Sequence, residues 1–275
     1  MMKNFKGKAI YNPSGKAAEY APWACNFYVG CSNGCTYCYC KKGILAGTMG
    51  MDKPQLKKCF KDETHALKVF ERELLTNIVE LKKHGLFFSF TTDPMLPETF
   101  DMTRRAIDLC IAFKVPVKVL TKVDRSEDIL RWYGSKWVTT DIRRLIAFGF
   151  TLTGHDELEP GASTNAERIA AMKDLHNAGF RTWASIEPMI DTWSSMHIIG
   201  LTLDFCALYK VGIESGKKYS KVNLNDFVHT VSKYLKSEKG NSAKIYFKDS
   251  LLKSASIDRA DLPSNCVSRD YNIFI

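Results

Sequence analysis

Apolar positions along the chain recur with two alternating periods. Residues 66–84 carry Leu67, Phe70, Leu74, Ile78 and Leu81 at helical spacing, with Gly85 where a helix stop is expected. A compact β-rich run at 86–93 follows, ended by Pro94, and then a helical stretch at 98–114 with Ile107, Cys110 and Ile111 on one side. The alternation continues through a strand at 115–123, broken helix at 129–132 and 140–147, and a strand at 148–153. A helix opened by Ser163 or Thr164 closes at Ala178-Gly179, and Thr164 with Glu167 three residues on predicts a capping box. Next come a strand at 181–190, a poorly patterned helix at 192–202, a strand at 205–213 and a helix at 225–236. Ahead of these, the first two dozen residues read as an extended arm, and 24–29 as a first strand delivering Gly30 at its C-terminal end. Residues 244–248 are a candidate further strand, and the tail beyond Asp258 reads as irregular.

Six strand–helix units with right-handed crossovers predict an α/β fold, a partial (β/α)6 TIM-type barrel with an N-terminal arm and a short C-terminal extension. The expectation is one domain over 1–275, with its barrel core at about 24–250. Working residues of such a barrel lie at the C-terminal ends of its strands. Those ends carry a cysteine loop after the first strand, Thr91, Thr92 and Asp93 after the second, and Thr121-Lys122 after the third. Thr151 to Thr153 follow the fourth, Glu187-Pro188 the fifth and Gly212-Ile-Glu214 the sixth. Polar groups at every strand end of an apolar sheet point to one shared pocket.

Apolar content of 45% with 25% charged residues is that of a globular protein. No apolar run approaches the ~20 residues of a membrane span. The N-terminus, Met-Met-Lys-Asn-Phe-Lys-Gly-Lys, is basic without a following apolar stretch, so the protein is expected in the cytoplasm. Nine cysteines, an odd number with one tight cluster, fit a reducing compartment better than a disulfide framework. Cys110 and Cys206 stand in apolar surroundings and read as buried small hydrophobes. The net charge of +9 is spread over doublets, Lys41-Lys42, Lys57-Lys58, Arg143-Arg144 and Lys217-Lys218, which read as solvated faces more readily than as a nucleic-acid groove. The six histidines are scattered, with no ligand spacing.

The cysteine loop is Cys31-Ser-Asn-Gly-Cys35-Thr-Tyr-Cys38. Three thiols on so short a glycine-containing loop chelate soft metals, and iron–sulfur clusters are held at such spacings. Three ligands for a four-iron cluster leave one iron open, which catalysis uses and structure does not. Cys40 is the nearest further thiol, and strain is expected to keep it and Cys38 from serving one cluster together. A zinc knuckle or three unrelated core thiols are the competing readings of the same residues.

The spacing Cys-x3-Cys-x2-Cys, with Tyr37 before the last cysteine, resembles the signature of the radical S-adenosylmethionine (SAM) enzymes. Gly7-Lys-Ala-Ile-Tyr-Asn-Pro-Ser-Gly15 and Cys25 through Tyr39 resemble the spore photoproduct lyase-like, or DNA-repair-photolyase-like, group of that superfamily. Thr92 through Glu98, Thr121-Lys122, and Glu157-Leu-Glu-Pro-Gly161 followed by Arg168 are further matches. The resemblance implies a 4Fe-4S cluster on Cys31, Cys35 and Cys38, with S-adenosyl-L-methionine bound at the open iron. It also implies an electron donor such as flavodoxin or ferredoxin, and a 5′-deoxyadenosyl radical that takes hydrogen from a substrate it does not identify. By the same resemblance Tyr37 lies by the adenine, and Thr91, Thr92 and Asp93 meet the methionine amino group. Lys122 pairs with the carboxylate, Thr151 is a candidate for ribose or carboxylate contact, and Glu187 for ribose or substrate.

One departure from the group concerns hydrogen return. Spore photoproduct lyases carry a cysteine just before the Thr-Ser-Asp of the second strand, as a hydrogen-atom donor to the product radical. Phe90 stands there in this chain. The expectation is therefore no efficient spore photoproduct repair, with Tyr39, Cys40 and Cys266 as alternative donors. Two other readings stay open: a nucleic-acid-binding protein with a structural metal knuckle, and radical repair or modification of nucleic acid.

Overall fold

Seven parallel strands form the frame of the computed structural model, which describes residues 4–134, 138–237 and 242–275; the first three residues of the expected arm lie outside these. In chain order the strands are β1 (Ile10–Tyr11), β2 (Ala24–Cys25), β3 (Tyr28–Val29), β4 (Gln55–Leu56), β5 (Leu86–Phe88), β6 (Val117–Thr121), β7 (Ile146–Thr151), β8 (Arg181–Met189), β9 (Leu208–Ile213) and β10 (Lys244–Phe247). The helices are α1 (Ala46–Met49), α2 (Glu63–Thr76), α3 (Ile78–His84), α4 (Pro97–Ala112), α5 (Ser126–Tyr133), α6 (Thr140–Arg144), α7 (Asn165–Asn177), α8 (Thr192–Thr202), α9 (Lys221–Ser237) and α10 (Asp249–Ala255). The main sheet runs β1-β2-β5-β6-β7-β8-β9-β10, and only the edge pair β1–β2 is antiparallel. A sheet with two free edges is a partial barrel, as expected, and residues 244–248 do supply an added parallel strand.

Several boundaries differ from the sequence expectation, each for a local reason. The expected first strand at 24–29 is divided: β2 joins the main sheet while β3 pairs with β4. Between them Asn26 turns inward, donating to the Tyr11 hydroxyl at 2.7 Å and accepting the Phe90 amide at 2.9 Å. The expected helix over 66–84 begins earlier, where Asp62 caps the His65 amide, and breaks at Asn77. The helix expected to reach residue 147 stops at Arg144, because Ile146 and Ala147 are drawn into pairing with β6. The β-rich run at 86–93 is strand only to Phe88; beyond it Ser89 donates to the Thr92 carbonyl and the chain turns. The capping box at Thr164 and Glu167 forms as expected.

Two apolar regions hold the fold. The larger lies between the sheet and the helices, and includes Cys110 and Cys206, both buried as expected. The smaller fills the barrel interior with Ala24, Phe87, Ala147, Trp183 and Leu208, joined by Tyr20 and Ala21 from the arm and Ile273 from the tail. Alternate residues of each strand point inward, so a large side chain on one strand needs a small one opposite. Gly149 supplies it for Trp183: a methyl at Gly149 would lie 2.1 Å from the indole ring. Buried Glu73 fastens the arm, its carboxylate accepting the amides of Lys8, Ala9 and Ile10 at 2.7, 2.9 and 2.8 Å.

Several residues of the basic doublets have partners of their own. Lys41 pairs with Asp52, Lys42 with Glu214, and Arg143 donates to the carbonyls of Ala178 and Gly134. Among the described residues no helix is long and apolar enough to cross a membrane.

Candidate functional site

A cavity of about 410 Å³ opens at the C-terminal ends of the parallel strands. Every residue singled out above for metal, cofactor or hydrogen-atom chemistry lines it, except Cys266. Cys266 lies elsewhere, its thiol 3.3 Å from the Ser232 hydroxyl and its backbone bridged to Ile245 in the first half of β10. The tail is thus tied to the sheet at this point, which removes Cys266 as a donor.

The cysteine loop follows β3 and is docked onto the loop between β7 and α7. Thr36 donates its amide to the Leu158 carbonyl at 3.0 Å, and Gly161 donates to the Asn33 carbonyl at 2.9 Å. The approach is so close that a methyl at Gly161 would sit 2.3 Å from the Ser32 carbonyl oxygen. Tyr37 donates its hydroxyl to Glu159, whose second oxygen is held at 2.5 Å by Arg168. Arg168 also donates to the Thr151 carbonyl at 2.5 Å. The Glu157-to-Gly161 segment and Arg168, matched as sequence motif only, therefore form the bed on which the cysteine loop rests.

The thiols are not equivalent. Burial pushes Cys31 up to about 12, with the nearby Asp93 carboxylate adding to the effect. Burial also raises Cys35, against the pull of Lys122. Cys38 is pushed down, first by the hydrogen bond it shares with the Cys40 side chain, against its burial. Cys40 is raised by the same bond, is buried, and its sulfur also faces the Phe90 carbonyl at 3.9 Å. Its thiol thus lies beside Cys38 and the Phe90 carbonyl. Among the described residues no group of three His, Cys, Asp or Glu side chains is arranged around one metal ion. Three thiols spread along one loop suit a polynuclear iron–sulfur cluster better than a closed zinc knuckle.

On the adjoining wall the three residues after β5 have different duties. Thr91 donates to the Tyr28 carbonyl at 2.6 Å. Asp93 is buried, and its carboxylate accepts Asn33 Nδ2 at 2.9 Å, Thr121 Oγ1 at 2.7 Å, and the amides of Lys122 and Met95 at 2.7 and 3.0 Å. Asp93 is thus a tie between the cysteine loop, β5 and β6, with its oxygens already occupied. Asn33 Oδ1 and Thr92 Oγ1 are buried in this wall with no hydrogen-bond partner. Two acceptors in want of a donor fit an ammonium group. Lys122 lies 5.6 Å over the Tyr37 ring. Burial works against its charge, but Cys35, Glu159 and Asp93 together hold it above the usual lysine range. An amino-acid ligand would find its amino group met by Asn33 and Thr92 and its carboxylate by Lys122.

The opposite half of the cavity is built from the arm and β8 to β10. Glu187 is held by Lys248 at 2.7 Å and by the Tyr20 hydroxyl at 2.5 Å, and Tyr20 also meets Ser185 Oγ at 2.7 Å. Burial, then the Glu187 charge, keep Tyr20 protonated. Tyr20, Ser185, Lys248 and Asn33 were not singled out in the sequence; the arm showed no period that would have placed Tyr20 inside a barrel. Tyr39 is half exposed at the mouth and donates to the Phe90 carbonyl, and the Phe90 ring stacks on Phe87 at 4.4 Å. One histidine also escaped notice: His155 lies between Glu157, 2.8 Å from Nδ1, and Asp191, 2.7 Å from Nε2.

No family model matches the chain. It is 26% identical over 220 residues, covering 74% of each chain, to an uncharacterized protein of Methanocaldococcus jannaschii, MJ0683. Among solved structures it is similar to Streptococcus suis SuiB bound to S-adenosylmethionine, with a TM-score of 0.55 and 14% identity over 86% of this chain and 50% of SuiB. It is also similar to spore photoproduct lyase complexed with dinucleoside spore photoproduct, with a TM-score of 0.51 and 14% identity over 89% of this chain and 62% of the lyase. The chain spans about half the length of the first and less than two thirds of the second. These likenesses show the fold alone, a partial α/β barrel shared with SuiB and with spore photoproduct lyase.

Proposed function

We propose that the chain is a radical SAM enzyme in which Cys31, Cys35 and Cys38 hold a 4Fe-4S cluster and the cavity binds S-adenosyl-L-methionine. One observation carries the reading: the three-thiol loop opens onto the same cavity wall as two unpaired buried acceptors, Asn33 Oδ1 and Thr92 Oγ1, and the Lys122 ammonium over the Tyr37 ring. When bound and reduced by one electron, from a donor such as flavodoxin or ferredoxin, the cluster and its ligand supply a 5′-deoxyadenosyl radical.

The chain's own residues then have defined tasks. Asn33 and Thr92 accept the amino group, and Lys122 meets the carboxylate. Tyr37, fixed through Glu159, presents its ring to the adenine. Thr151 and Glu187 face the cavity from further round the barrel and serve ribose or substrate. Tyr39 and Cys40, both gathered at the Phe90 carbonyl, are the hydrogen-atom donors nearest the cysteine loop. The substrate is a molecule other than spore photoproduct, nucleic acid being one class to assay.

Anaerobically reconstituted protein should be brown, hold about four irons and four sulfides, and release 5′-deoxyadenosine and methionine with dithionite and S-adenosylmethionine. A colourless protein with one zinc overturns the proposal in favour of a structural metal knuckle, and a steep loss of polynucleotide affinity with salt would then identify a nucleic-acid binder.

A further inference from the structure

Helix α8 is apolar on both sides. Its inner face buries Ile198 and Ile199 against the barrel, while its outer face presents Trp193, His197 and Leu201 at four-residue spacing, one above another. Trp193 is 75% exposed and Leu201 50%. The Trp193 and His197 rings stack at 5.5 Å, 8° from parallel. Beside them a hollow of about 360 Å³ is lined by Met196, Gly200, Leu201 and, from α9, Tyr234. A methyl at Gly200 would meet nothing nearer than the Tyr234 hydroxyl at 4.0 Å. No Asp, Glu, Lys or Arg occurs in the helix.

We propose that this face is the centre of a two-fold interface between two copies of the chain. Symmetry argues for a second copy. Trp193 and Leu201 stand four residues either side of His197, about 6 Å each way along the axis. Antiparallel packing about an axis at His197 therefore seats Trp193 of each copy against Leu201 and the Gly200 hollow of the other, which is the self-complementarity an isologous contact requires. The net charge of +9 opposes self-association, but the helix itself carries no charged side chain, so the contact sets no like charges of the helix against each other. Size sets the strength. The stripe has an aromatic anchor but spans only about 12 Å, well short of the ~800 Å² per partner of a standard interface, so the dimer is weak, with a dissociation constant in the micromolar range.

Sedimentation equilibrium of the full chain from about 1 to 200 µM tests this. A monomer–dimer equilibrium is expected, and Trp193→Ala should raise its dissociation constant by about 30-fold or more. Val79→Ala, altering an equally exposed apolar residue on α3, should leave it unchanged. His197→Lys and His197→Glu should each be monomeric, since each sets like charges against each other at the axis, and an equimolar mixture of the two should dimerise again. A chain monomeric at the highest concentration, a dimer indifferent to Trp193→Ala, or a mixture that stays monomeric each overturns the proposal. Capture of a different protein by this face, with the chain itself monomeric, does so as well.

Discussion

Arg168 and Glu159 meet at 2.5 Å with neither side chain exposed to solvent, and the second oxygen of that carboxylate takes the Tyr37 hydroxyl. Removing one member of a buried pair leaves the other charge uncompensated, at a cost of about 3–5 kcal/mol. Arg168→Met and Glu159→Gln should therefore each lower the urea midpoint of the metal-free chain substantially, and the double variant should fall well short of their sum. Single variants within about 1 kcal/mol of the parent would mean that the pair does not hold the cysteine loop.

Cluster ligation should follow the loop. Alanine at Cys31, Cys35 or Cys38 should abolish iron and sulfide binding, while Cys40→Ala should retain both, because the Cys40 sulfur is turned to Cys38 and the Phe90 carbonyl. Retention in Cys31→Ala together with loss in Cys40→Ala would show the ligand register to be wrong.

Lys122 and Asp93 should separate by type of defect. Lys122→Ala removes a charged partner of the ligand and should weaken S-adenosylmethionine binding by about 10-fold or more, with little change in unfolding. Asp93→Ala strands four internal donors and should chiefly destabilise the fold, by several kcal/mol at about 1–3 per stranded group. Anaerobic calorimetric titration beside urea unfolding distinguishes them; equal affinity in parent and Lys122→Ala would take Lys122 out of the site.

His155 gives the stability a pH dependence of known sign. Burial opposes its charge, but Asp191 and Glu157 raise its pKa above the ordinary value of about 6.5. Its contribution is therefore complete below about pH 6.5 and is lost as pH rises through the folded value. Hydrogen bonds hold Asp191 below the carboxylate range against its burial, and the bond from His155 does the same for Glu157, so their contribution is present above about pH 4.5 and lost as pH falls. Melting temperatures of parent and His155→Gln should accordingly differ most between about pH 4.5 and 6.5 and converge on the alkaline side. A constant difference would assign His155 no titrating role.

Phe90 offers no weak hydrogen to a product radical, and its ring is spent on stacking with Phe87. DNA carrying spore photoproduct should therefore raise 5′-deoxyadenosine no further than the uncoupled background. Efficient recovery of thymidine would contradict this, and stimulation by a fraction of a metabolite extract would point to the true substrate.

The barrel and its cysteine loop were legible because helical and strand periods, and ligand spacing, are local properties of sequence. The bed beneath the loop was not: Glu159 and Arg168 become meaningful only when α7 folds back on the end of β7. The position of Asp93, which is visible in sequence, suggests a cofactor acceptor, but its bonding is not visible there; three of its donors come from the distant Asn33, Thr121 and Lys122. The tail around Cys266 reads as irregular because it lacks periodicity, yet its pairing with Ile245 is a tertiary contact that periodicity does not report. The division of the first strand at Asn26 likewise depends on partners at Tyr11 and Phe90 that lie far off in the chain.

The tail closes the lower end of the barrel, with Ile273 buried among Trp183, Leu208 and Phe87 and its carbonyl held by Arg181 at 2.7 Å, so the cavity opens at the strand ends and not through the base. Under the proposed function a cofactor and a substrate would share that entrance. Whichever of the two seats deeper would have to arrive first and depart last, so the plugged base of the barrel, more than relative affinity, would set the order of addition and release.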